Sequence, residues 1–177
     1  MNDALVIEEW EAQHPRWDEL VQLVDREHQA QWVAASFAWH RSTHLLVALR
    51  DRQVVGFLRF VTQDIGADDD HDPVILDGTV LTEAKVLAFG VTLAYRRQGI
   101  GRALQEAAVQ HAKALACYQV RSHSAGSYDA NHRLKLRMGF GVQPVVRGHD
   151  SGGVYFVLPL AQRPRETADA APIEGQQ

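Results

Sequence analysis

Three arginines and two glycines fall within seven residues, Arg96-Arg97-Gln98-Gly99-Ile100-Gly101-Arg102, just after a mostly apolar run that ends at Val91. These residue types hold phosphate: glycine lets the main chain come close to a ligand, and arginine supplies donors and charge. Leu81 to Val91 reads as a strand, whereas Leu104, Ala107, Ala108, His111 and Leu115 recur at the spacing of one helix face. The turn therefore opens a helix, whose first N–H groups lack partners inside it and whose dipole favours an anion.

Two common phosphate motifs do not fit. A P-loop needs Lys-Ser or Lys-Thr after its last glycine, and Ile100-Gly101-Arg102 has neither. A dinucleotide fingerprint needs a third glycine where Leu104 stands and an acidic residue about 20 positions on, but Cys117 to Ser124 contains none. The remaining pattern, R-x-x-G-x-G over Arg96 to Gly101, resembles the acetyl-CoA pyrophosphate loop of the GNAT acyltransferase superfamily. The match extends to the strand before it, the helix after it, a strand near Gln119 to Ser122, a short helix, and Gly139-Phe140 where the family commonly has Gly-Phe.

The resemblance implies an α/β (α+β) fold: a mixed, mostly antiparallel sheet of six to seven strands, about four flanking helices, and a splayed central strand pair that admits the pantetheine arm. By position, Phe89, Gly90 and Val91 would line the pantetheine and thioester, and Arg96, Arg97, Gln98, Gly99, Ile100, Gly101 and Arg102 would surround the pyrophosphate. Leu93 departs from the family, which often has proline there. The implied chemistry is direct acyl transfer from acetyl-CoA, with no metal, to a primary amine of a small molecule or protein. It requires proximity, an oxyanion donor near the main chain of Val91, and proton carriers.

For the acid, many relatives have tyrosine four residues before the glycine of Gly-Phe. Here that position is Lys135, which could act as a cationic acid, bind phosphate, or be an exposed helix lysine. Tyr128, seven residues earlier, is a substitute. Asn131 is either a cofactor contact or, like Asp129, a helix cap. For the base, Glu83 shares a strand face with Lys85, Leu87 and Phe89 if the two-residue period is unbroken. His123 is the other choice, because imidazole titrates near neutral pH.

The surrounding elements must position these groups. Leu5 to Trp10 reads as a strand, and a helix after Pro15 carries Trp17, Leu20, Val21 and Val24 on one face. A second helix is expected over Gln29 to Trp39. Thr43 to Arg50 and Val54 to Gln63 form a hairpin around Asp51-Arg52-Gln53. Asp64 to Gly78 holds six aspartates and no lysine or arginine, so it is expected to be a solvated loop; attraction of a cationic amine or binding of a metal by its cluster Asp68-Asp69-Asp70-His71-Asp72 are the alternatives. A helix over Ala130 to Met138 and strands near Phe140 to Val146 and Val154 to Leu160 follow, the last two joined by a turn at Gly148 to Gly153. Trp32, Phe37, Trp39 and His40 belong to the segment that forms the acceptor-side wall in relatives, though core packing would use the same residue types.

With 177 residues and 46% apolar content, one domain is expected over residues 1–162, with a disordered tail over 163–177. A net charge of −4 and pI near 6.1 argue against a nucleic-acid binder. Cys117, the single cysteine, is expected to be a small buried residue, and a reducing cytoplasm is inferred. Met1 to Trp10 does not resemble a signal peptide, and no apolar run is long enough to cross a bilayer, so no membrane partner is expected. A monomer or homodimer is expected. The alternative to an enzyme is a weakly catalytic acyl-CoA-binding regulatory module.

Overall fold

The computed structural model describes residues 4–125, 129–145 and 152–160. Strand β1 (Val6–Glu9) leads into α1 (Trp17–Arg26), α2 (Ala30–Ala34), β2 (Ser42–Arg50) and β3 (Gln53–Asp64). Arg50 pairs with Gln53, and the two residues between them, Asp51 and Arg52, have φ of 47° and 63°. Such a left-handed pair matches the twist of the strands it joins. Helix α2 is only five residues long, much shorter than the stretch expected to Trp39. On α1 the buried residues are Leu20, Leu23 and Val24, while Val21 is exposed.

The acidic segment is not simply a solvated loop. It forms a 3-10 turn at Ala67–Asp69 and a small hairpin of β4 (Ile75–Leu76) and β5 (Thr79–Val80). Then come β6 (Thr82–Val91), a 3-10 turn at Leu93–Tyr95, α3 (Ile100–Ala114), β7 (Gln119–Ala125), α4 (Asp129–Arg137), β8 (Gly141–Pro144) and β9 (Gly153–Pro159). Helix α3 buries Ile100, Leu104, Ala108 and Ala112, an i, i+4 row, and leaves Leu115 exposed beyond its end. The expected turn at Gly148 to Gly153 lies mostly outside the described residues, and the expected tail lies wholly outside them.

Seven strands form one sheet in the order β1-β2-β3-β6-β7-β9-β8. β6 and β7 run parallel, and the other neighbours are antiparallel. Together with the four helices, this is the mixed architecture that the resemblance implies. Each sheet face carries a core. Leu46, Leu58, Phe60, Ala84, Val86 and Phe156 pack with α3 on one side, and Trp10, Val47, Phe57 and Ala88 pack with α1 on the other. Each fully buried large side chain stabilises the fold by roughly 1.5–3 kcal/mol relative to exposure.

Two irregularities in β6 shape the middle of the sheet. First, Phe60 pairs with Val86 and Arg59 with Ala88, so Leu87 is an inserted residue that reverses the alternation. Ala84 and Val86 face the α3 core, Ala88 faces the α1 core, and Phe89 and Val91 return to the α3 side. Glu83 and Lys85 therefore point to the opposite face from Phe89, unlike the unbroken period. Second, β6 pairs with β7 only over Glu83–Val86 against Gln119–Ser122. Beyond that, β6 follows β3 to Val91 and β7 follows β9 to Ala125, so the two strands part and leave a gap.

Candidate active site

The main chain at the end of β6 faces this gap. Thr92 donates its N–H to Val55 O on β3 at 2.9 Å. Because successive residues of an antiparallel strand direct their polar groups to alternate edges, Val91 and Phe89 turn theirs toward the gap. Arg96 donates Nε to Val91 O at 2.8 Å and pairs with Glu27 at 2.8 Å, so it braces the strand end against α1.

At the mouth of the gap stands the N-terminus of α3. Gly99 precedes it at φ 83°, a left-handed value that favours glycine, and nothing lies within 4 Å of the place its Cβ would take. No described side chain caps the helix, and its first internal bond is Ala103 N–H to Gly99 O. The amides of Ile100, Gly101 and Arg102 are thus set for an anion. Gly101 is packed from behind, since a Cβ there would meet Phe89 at 3.1 Å and Leu134 at 3.7 Å. Arg97 and Arg102 are exposed beside this turn; Arg102 also bonds Glu106 at 2.7 Å. Gln98 is tied back to Ala94 O at 3.1 Å. Asn131 is the third residue of α4 rather than its cap, and its buried Oδ1 has no hydrogen-bond partner.

Lys135 lies where the strands begin to part, on the α3 side. It is 1% exposed, so the exposed-lysine expectation does not hold. Its Nζ donates to Ser122 Oγ at 2.6 Å and lies 5.1 Å from the centre of the Phe156 ring. Burial pushes its pKa down to about 8. Helix α4 is stopped by Gly139 at φ 90°: Phe140 N–H reaches Lys135 O and Gly139 N–H reaches Leu136 O, with Phe140 buried in the core. The Gly-Phe pair therefore fixes the helix that carries the lysine. A turn further back, His132 bonds Ser124 Oγ at 2.7 Å.

The opposite face at the same level holds a network of charges. Glu83, fully buried, accepts from Gln63 at 3.0 Å, Gln119 at 2.9 Å, and Arg121 Nε and Nη2 at 3.0 and 2.6 Å. Asp68 joins from the acidic segment, paired with Arg121 at 2.5 Å and with Lys85. Burial opposes the charge on Asp68, but Arg121 and Lys85 outweigh it and hold its carboxyl at about 2. For Arg121 burial is likewise outweighed, by Glu83 and Asp68, and its pKa is raised. Arg121 also stacks over Tyr155 at 4.5 Å. His123, half-buried, is the first β7 residue beyond the paired stretch and meets the Tyr155 ring edge-on at 5.5 Å. Tyr128 lies outside the described residues.

The parted strands and their neighbours thus carry Phe89, Val91, the 97–102 turn, Lys135 and His123, Asn131 lies one turn before Lys135 on α4, and Glu83 is enclosed by donors. Arg121 and Ser122 were missed in the sequence, and Asp68 was read there only as a member of the acidic cluster, without its partners. Arg121 left a signal, because a charge inside a strand pattern requires a buried partner.

The fold is shared with known proteins. Residues 5–140 match the model of the acetyltransferase (GNAT) family. No curated protein matches the chain. Among solved structures, NAA60 of Arabidopsis thaliana in complex with acetyl-CoA is similar at TM-score 0.63 and 16% identity, covering 87% of this chain and 96% of that one. The ribosomal-protein-S18-alanine N-acetyltransferase of Escherichia coli is similar at TM-score 0.59 and 17% identity, covering 94% and 100%. The PaiA N-acetyltransferase of Thermoplasma acidophilum in complex with coenzyme A is similar at 0.60 and 13%, covering 89% and 99%. With the family model matching most of the chain, and with the parted strands and uncapped glycine turn in place, this protein belongs to the GNAT acetyltransferase family.

Proposed function

We propose that the protein is a cytoplasmic N-acyltransferase that moves an acetyl group from acetyl-CoA directly to a primary amine of a small molecule or protein in a ternary complex. One observation carries the reading: the gap between β6 and β7 has an uncapped helix N-terminus at its mouth and a buried lysine where it begins. The pyrophosphate sits on the amides of Ile100 to Arg102, with Arg97 and Arg102 beside it. The pantetheine follows Phe89 to Val91 inward, with Asn131, whose buried amide oxygen has no partner among the described residues, as a further candidate contact.

The amine nitrogen attacks the thioester carbonyl, the new C–N bond forms, and the C–S bond breaks. A main-chain N–H of the parted strand edge near Val91 stabilises the oxyanion. His123 takes the proton from the amine, and the Lys135 ammonium gives one to the departing sulfur. A pKa of about 8 suits Lys135, because it is charged at neutral pH yet releases its proton readily. Glu83 holds Arg121 in place instead of serving as the base, since its lone pairs are already engaged.

A thermal-shift series with acetyl-CoA, NAD and ATP, followed by thiol-release assays across an amine panel, tests this. At 100 times the dissociation constant, acetyl-CoA stabilises the fold by about 2.7 kcal/mol. Stabilisation by NAD or ATP but not by CoA esters overturns the reading, and tight acetyl-CoA binding without turnover on any amine leaves the regulatory binding module.

A further inference from the structure

Arg59 is the buried cation that the proposed chemistry does not use. It sits on β3 within Phe57-Leu58-Arg59-Phe60-Val61, every other member of which is a buried apolar residue, and is itself 5% exposed. Its Nη1 donates to the main-chain oxygen of Trp32 at 2.7 Å. Among the described residues no carboxylate pairs with it, and burial alone pulls its pKa down, with no neighbouring charge to offset that. Arg121 is 8% exposed on the same face and is paired with both Glu83 and Asp68. Leaving a guanidinium that deep with one neutral acceptor is costly, because the lost hydration is not replaced by a counter-charge. Among the described residues the Nε and Nη2 of Arg59 have no hydrogen-bond partner, so those donors are unused.

The placement of Arg59 is fixed by register. Arg59 pairs with Ala88 and Phe60 with Val86, so Arg59 lies beside the inserted Leu87, at the level where β6 and β7 part. Its Cα is therefore about one strand spacing, roughly 5 Å, from the strand that borders the gap. Its side chain lies on the α1 side of the sheet, opposite Lys135. His40 stands close enough to Arg59 and Lys85 for both to lower its pKa, after the larger effect of burial. Next to His40, Phe37 and Trp39 stack with centres 4.8 Å apart, and both are exposed. Arg59 and the exposed Phe37–Trp39 pair are thus both neighbours of His40, and together they define a candidate subsite on the side that the resemblance assigns to the acceptor.

Resting on the acyltransferase reading, we infer that this subsite takes a carboxylate: the acceptor is a small amine that also carries a carboxyl group, held by Arg59 through its unused donors. Guanidinium and carboxylate match in two-pronged geometry. Because the Arg59 backbone neighbours the strand that borders the gap, one small molecule carrying both groups, such as an amino acid, is the acceptor class this placement favours. The aspartates of the acidic segment do not compete for the role of recruiting a polycationic amine through Asp68, because that carboxylate is taken by Arg121 and Lys85.

The test measures thiol release from acetyl-CoA with free L-amino acids and with their carboxamides, which differ only in the negative charge. The wild type prefers the acids by at least about 30-fold in kcat/KM, the cost of stranding a buried charge. Arg59→Gln brings the ratio close to one by raising the KM of the acids, while the KM for acetyl-CoA is unchanged. Arg59→Lys recovers part of the preference. Equal rates for acids and amides in the wild type, turnover confined to polycationic amines or peptide N-termini, or no turnover with any acid each overturns the inference. Stabilisation by acetyl-CoA in the same samples separates that outcome from failure of the acyltransferase reading.

Discussion

On the two faces of the sheet, at the level where β6 and β7 part, lie two buried cations in opposite circumstances. Arg121 is surrounded by Glu83, Asp68 and the Tyr155 ring. Lys135 has Ser122 Oγ and the Phe156 ring and no described carboxylate. Arg121 is consequently fixed in its charge, with its pKa raised, whereas Lys135 is drawn down to about 8. A charge whose partners are supplied by the fold holds strands together. A charge buried without them costs stability, and its proton is mobile near neutral pH, which is what a catalytic acid needs.

The largest expected effect comes from breaking the paired side. Glu83→Gln removes a charge that Arg121 needs, and urea unfolding at pH 7 should show a loss of about 3–5 kcal/mol. Activity per folded molecule should fall far less than removal of a base demands. A stable variant with a large loss in kcat would instead make Glu83 the base and erase the contrast.

Next is the unpaired side. Lys135→Met should lower kcat about 100-fold while acetyl-CoA still raises Tm. It should also stabilise the fold by about 1–3 kcal/mol, since methionine carries no charge to desolvate. The wild type gives the matching pH dependence. The folded pKa of Lys135 lies below its ordinary 10.5, so the native state binds this proton less readily than the unfolded chain does. The penalty is present below pH 8 and is relieved as pH rises toward 10.5, a gain of about 3 kcal/mol that Lys135→Met abolishes. Asp68 acts in the opposite sense: its carboxyl is held below its ordinary value, so its contribution is present above pH 3.8 and is lost as pH falls through about 2.

The smallest effect is a control away from both faces. Ala116 ends α3 at φ 56°, with Cys117 N–H reaching Ala112 O and Ala116 N–H reaching Lys113 O. Glycine adopts that conformation without strain, so Ala116→Gly should raise stability by about 1 kcal/mol and leave kcat/KM and the pH profile unchanged. A change in the profile would mean that the gap senses general stability rather than local charge.

Much of the fold was legible because its signals are local. The Arg96 to Gly101 turn, the alternation of β2 and β3, and Gly139-Phe140 as a helix stop each depend on residues a few positions apart. The short α2 and the exposed Val21 were not, because tertiary contacts decide which part of an amphipathic stretch is covered. The acidic segment shows the limit most clearly. Six aspartates in sequence imply solvent, yet Asp68 is drawn in by Lys85 and Arg121, which are 17 and 53 positions away.

By itself, then, the sequence determined that a helix N-terminus with glycines and arginines follows a central strand, and hence that this turn favours an anion, since helix dipole and open amides come from the local chain. Only the tertiary structure decided which charges are compensated. The residue inserted at Leu87 turns Glu83 and Lys85 away from Phe89, and the parting of β6 from β7 brings Lys135 against Ser122 in a dry site. Desolvation and counter-charge act through space, so the difference between an arginine with its counter-charges and a lysine buried without them is absent from the order of residues and arises when the sheet is assembled.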